Sequence, residues 1–211
     1  MFKIEKIKNE KFDEFYERAM KELDEFFERD WIMNRTKIVF VPDRKTYNSI
    51  RDKETDGWEI AFACNDSIYL LDPEAYEKDA DGHIYSDERF FMLIKHELTH
   101  SFWNLFHYSH TPVWLSEGLA LYLAGQYKTR TCPEKFVNFL DFYGEYGKFV
   151  YNESGFVVKI LVEEFGKENV LELLKGLGSI KSEDQFYDLF ERVYGFRISY
   201  DEMNKLMREG K

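Results

Sequence analysis

Residues 86–107 read SDERFFMLIKHELTHSFWNLFH, and the spacing within this stretch decides the fold. On a wheel of about 100° per residue, Phe90, Ile94, Leu98, Ser101 and Leu105 share one face. His96, His100, Trp103 and His107 share the opposite one. A simple surface helix would carry charges there. Histidines and a tryptophan in their place predict a helix covered on both sides. Ser86 or Asp87 caps it, and the pattern carries it to about His107.

Outward from this helix the two flanks differ in kind. Upstream, Phe12, Phe15, Tyr16, Ala19, Leu23 and Phe26 recur three or four apart, predicting an amphipathic first helix with a charged, solvated face. Residues 37–41, 58–64 and 67–71 are strand candidates, the last two joined by Asn65-Asp66, a turn pair. Residues 43–51 read as a helix candidate, and 74–85 as loop. Downstream the pattern stays helical. Thr111-Pro112 reads as a cap followed by proline in the first turn of a helix to about Ala124. Further helices are expected over 133–143, over 152–165 up to Gly166, and around Leu171–Leu177. Ser182 and Ser199 open capping boxes for the last two. The prediction is an α+β fold with strands and helices segregated. It forms a single domain over 1–211, with an α/β part to about residue 110 and a helical part beyond it.

Composition narrows the function. In 211 residues, 44% hydrophobic and 18% aromatic, there is ample material for a packed interior. A formal net charge of −11 argues against gripping nucleic acid phosphates or an anionic membrane. Two cysteines, Cys64 and Cys132, make neither a disulfide framework nor a metal pair, and both read as small buried or half-buried residues. No apolar run approaches the roughly 20 residues of a membrane span. The charged start, Met1 to Lys6, lacks the apolar centre of a secretion signal, so a cytoplasmic location is the expectation. Oligomeric state is open.

The chemistry lies in His96-Glu97-Leu98-Thr99-His100. Two histidines four apart lie one turn from each other on one helix face, where both imidazoles can meet one zinc ion. Glu97, about 100° round the helix, can reach a metal-bound water without being a ligand. With 5 histidines in the chain, roughly 0.01 such matches arise by accident, so the motif needs support from elsewhere. Glu117 supplies it. Residues 113–124 read VWLSEGLALYLA, apolar nearly all round, with Glu117 as the single charge. A buried carboxylate with no cation costs several kcal/mol. No lysine or arginine shares this helix, and a divalent metal would satisfy it. Gly118 lets another helix approach closely.

The string His96-Glu97-x-x-His100 followed by Trp114-Leu115-Ser116-Glu117-Gly118-Leu119-Ala120 resembles the gluzincin zinc metallopeptidases of the peptidase MA-like superfamily, the group that includes thermolysin and related aminopeptidases. The resemblance implies a zincin-like fold, in which a small N-terminal sheet with an active-site edge strand packs on a helical lobe. It implies one Zn2+ per chain held by His96, His100 and Glu117, with Glu97 as catalytic base, and a peptide or protein substrate. Strand 67–71 would be the edge that pairs with an extended substrate. Tyr151 is the candidate oxyanion donor, with Tyr143 and Tyr146 as competitors. Where thermolysin-like chains carry an acid four residues after the third ligand, this chain has Leu121, so the partners that orient the histidines are unidentified; Asn104 lies on the right helix and is not assigned the role. The metzincin pattern fails at Trp103 and Phe106.

The plainer readings are these. His107 lies about 10 Å along the axis from His100 and cannot share its metal. His110 reads as a loop residue that could assist an oxyanion, and nothing is assigned to His83. Trp114 reads as core. Lys128 and Arg130 make too short a basic patch for nucleic acid. The alternative to a peptidase is a non-catalytic, zinc-stabilised peptide-binding module, which has no need of Glu97.

Overall fold

A computed structural model describes residues 9–64, 66–80, 82, 84–145 and 147–210. The expected turn at Asn65, the competitor Tyr146, His83 and the start of the chain lie outside the described residues. The chain is α+β and separates into two compact units, residues 1–98 and 99–211.

The first unit begins with α1 (Glu10–Phe27), which buries Ala19, Met20, Leu23 and Phe27. Next come β1 (Lys37–Val41), α2 (Arg44–Arg51), β2 (Ala61–Cys64), β3 (Ser67–Leu71) and α3 (Pro73–Lys78). The Asp43 side chain caps α2 by accepting from the Thr46 amide. The strand order is β1-β3-β2, with β1 parallel and β2 antiparallel to β3. This corrects the expected edge strand. β2 runs antiparallel along one side of β3 while β1 lies parallel on the other, so β3 is central and its backbone groups are spent on neighbours. The edges of this sheet are β1 and β2, and Ala63 and Cys64 at the end of β2 are exposed.

Residues 74–85 are also not all loop. Asp72 accepts from the Ala75 amide and Pro73 occupies the first turn of α3. The Asp-Pro pair that ends β3 is therefore also a helix start. Phe90, fully buried, gathers Phe12, Phe40 and Tyr76 around it. Its helix, α4 (Asp87–Trp103), buries Phe90, Ile94 and Leu98 as the wheel requires, and also His96, His100 and Trp103 on the opposite face. It stops four residues short of His107. The Trp103 indole donates to the Ser109 carbonyl at 2.7 Å and folds the chain into a turn, which leaves Leu105 exposed rather than in the core stripe.

The second unit contains α5 (Val113–Leu123), α6 (Val150–Phe165), α7 (Lys167–Leu177), α8 (Glu183–Tyr194) and α9 (Tyr200–Glu209). Pro112 is itself the cap residue of α5, one position later than expected. Ser182 and Ser199 cap α8 and α9 through the amides of Gln185 and Glu202. Trp114 is core, edge-on to Phe139 and Phe186.

The expected helix over 133–143 is absent. That stretch is irregular because buried polar side chains take its backbone groups. Asn204 accepts from the Phe136 amide at 2.7 Å and donates to its carbonyl at 3.0 Å. The Glu153 carboxylate accepts from the amides of Val137 and Asn138 at 2.9 and 2.8 Å. Asp141 accepts from Gly144 and Glu145. Cys132, before this stretch, is exposed like Cys64, contrary to the expected burial of both.

Candidate metal centre

Two elements build the site. On α4, His96 and His100 stand one turn apart and both are buried, each 8% exposed. On α5, Glu117 is the one acid in a helix that buries Trp114, Leu115, Ser116, Gly118, Leu119, Ala120 and Leu121. One ligand atom from each of His96, His100 and Glu117 lies within 4.8 Å of the other two, and among the described residues this is the group that could hold a metal ion. His100 Nε2 is 3.7 Å from Glu117 Oε1. That separation suits two ligands on one ion, being close to the edge of a tetrahedron with bonds of about 2.0–2.2 Å.

The start of α5 is fixed from outside the helix. The amides of Val113 and Trp114, which a first turn leaves without helical partners, donate to the carbonyls of Phe142 and Asp141 at 3.0 and 2.9 Å. On the far side, Gly118 meets α6. A Cβ there would fall 2.7 Å from the Ser154 carbonyl oxygen, so the close helix approach expected at this glycine is present.

Ser116, next to Glu117 and 1% exposed, places its hydroxyl 3.3 Å from His100 Nδ1. It is therefore a hydrogen-bond partner for this histidine, whose partners the sequence left unidentified. The same hydroxyl lies 3.3 Å from Nδ1 of His110. Spacing alone does not reveal either link, because both cross between segments.

Glu97 is half-buried on α4. Burial pushes the phenol of Tyr47 up, and the charges of Glu59 and Glu97 add to that shift, so Glu97 lies within electrostatic reach of Tyr47. His107 is outside the metal group. Burial, and then the neighbouring His110, lower its pKa. Tyr151 is half-buried in the first turn of α6, where its phenol acts on the Arg130 guanidinium. Tyr143 is exposed.

Compared with protein-family models, curated proteins and solved structures, the chain matches none of them. Among the described residues, no helix is long and apolar enough to cross a membrane.

Proposed function

We propose that the protein is a zinc-dependent hydrolase of the gluzincin type that cleaves peptide bonds. The observation that carries this reading is the convergence of His96, His100 and Glu117, with Glu97 directly after the first of them. The donor set fits zinc, since two neutral imidazoles and one carboxylate are common ligands of catalytic zinc and leave a coordination position open. Bound there, zinc supplies a Lewis acid that acidifies water and polarises a carbonyl. The chain's own residues do the rest. His96 and His100 present ring nitrogens from one helix face. Ser116 meets Nδ1 of His100, which turns Nε2 toward Glu117. Glu97 takes up a proton on its carboxylate as water attacks and returns it to the departing amine. Tyr151 is the proposed donor to the developing oxyanion. An extended substrate would pair with β2, whose end is exposed at Ala63 and Cys64. A cytoplasmic setting, with no nucleic acid or membrane partner, completes the reading.

The test is Glu97→Gln. One zinc per chain should remain, and turnover of a mixed peptide library should fall by about 10²-fold or more. If wild type and variant both hold zinc, both bind peptide and both are inert, the peptide-binding module replaces the enzyme.

A further inference from the structure

His110 is exposed on the connection between α4 and α5, where a histidine ordinarily has only solvent for company. Here its ring stands edge-on to that of His100, with centroids 5.2 Å apart and planes at 75°. Its Nδ1 is 3.3 Å from the buried Ser116 hydroxyl, which is itself 3.3 Å from His100 Nδ1. The backbone around it is tied down. Trp103 donates to the Ser109 carbonyl, and the hydroxyls of Ser109 and Thr111 bond at 2.8 Å.

Counting donors gives this chain a direction. A histidine that ligates through Nε2 carries its proton on Nδ1. His100 Nδ1–H then donates to Ser116 Oγ. A serine hydroxyl has one proton of its own to place, and the Nδ1 lone pair of His110 stands where it can accept that proton. Each bond in the row fixes the sense of the next. We infer that His110 is a positioning residue for the metal centre: through the Ser116 hydroxyl it holds His100 in the tautomer that leaves Nε2 open to a metal. The inference rests on the reading of His96, His100 and Glu117 as a metal site, and needs no hydrolytic activity.

The experiment measures zinc affinity by chelator competition, using the full-length chain. Ser116→Ala should weaken zinc by about 10–100-fold, the usual effect of removing a histidine's outer partner. His110→Ala, one bond further out, should weaken it by about 3–10-fold. The double variant should bind no more weakly than Ser116→Ala alone, since His110 acts only through Ser116. His110→Asn, whose amide oxygen can stand near the Nδ1 position, should recover most of the loss. Nitrogen NMR of the metal-free chain gives an independent reading. His100 should sit in the Nδ1–H tautomer in wild type and in a mixture in His110→Ala. Full additivity of the two alanine variants, or a His110→Ala affinity equal to wild type, overturns the inference and leaves the metal site standing. No zinc uptake by wild type overturns both.

Discussion

At Gly118 a methyl group would lie 2.7 Å from the Ser154 carbonyl oxygen and 2.8 Å from Val158 Cγ2. The first of these is backbone and can yield only if α6 shifts. Gly118→Ala should therefore destabilise the protein by about 1–3 kcal/mol, the range for overpacking a close contact, despite alanine's better helix propensity. A urea midpoint that rises instead would mean that the two helices are further apart. With zinc held as proposed, the shift should also weaken its binding, because the backbone of Glu117 is one residue away. At this scale the sequence is unevenly legible. His96 and His100 declare themselves by helical spacing. Glu117 does so as the single charge in an apolar helix, and both arguments are local. Ser116 and His110 carry no such mark. A serine before an acid is commonplace, and a loop histidine has no periodicity to read. Their role arises only when the turn closed by Trp103 and Ser109 returns the chain to α4.

Among the elements, the irregular stretch between α5 and α6 depends on side chains far away in sequence. Asn204 on α9 serves both backbone groups of Phe136, a residue with no solvent exposure. Asn204→Ala leaves a buried amide and a buried carbonyl without these bonds and should cost about 2–4 kcal/mol. Asn204→Asp keeps an acceptor for the amide but loses the donor to the carbonyl and buries a carboxylate beside it, so it should cost at least as much as alanine. Urea unfolding measures both. Hydrogen exchange should show the loss of protection beginning at residues 136–138 and spreading to Val113 and Trp114, whose amides use this segment's carbonyls. This dependence explains why residues 133–143 read as helix from sequence. Phe136, Phe139 and Leu140 have helical spacing, yet the backbone here is held by bonds from Asn204 and Glu153 rather than by an internal ladder. The strands show the reverse case. β1 and β3 are legible to the residue because short apolar runs end at Pro42 and at Asp72-Pro73. Which of them lies at an edge depends on pairing, and pairing is not written in either strand alone.

Across the whole molecule, the same chemistry recurs in both units as buried or half-buried tyrosine. In the first unit, burial pushes Tyr16 up to about 12, with Glu17 and Asp24 reinforcing it against Arg35, and its hydroxyl donates to the Thr36 carbonyl at 2.8 Å. Burial raises Tyr47 as well. In the second unit, burial and the hydrogen bond it donates to Glu183 push Tyr187 up to about 12. Burial alone raises Tyr194. An unfolded chain ionises its tyrosines near pH 10. Between that value and about 12 the folded protein keeps protons on Tyr16 and Tyr187 that the unfolded chain has lost. Stability from these groups is therefore complete below pH 10 and declines as pH rises toward 12. Tyr16 and Tyr187 are half-buried, so solvent screening tempers the slope that each adds to the decline. The formal net charge of −11 at pH 7 grows more negative over the same range and acts in the same direction. Urea midpoints taken from pH 8 to 11.5 should be flat at first and then fall steeply. A tyrosinate absorbance titration should show an early class near 10 and a late class released on unfolding. Tyr187→Phe removes one member of the late class and should flatten the fall, at the expense of the bond to Glu183. If instead every tyrosine ionised in one step near 10 while the urea midpoint stayed level, the packing around Tyr16 and Tyr187 would be wrong in both units.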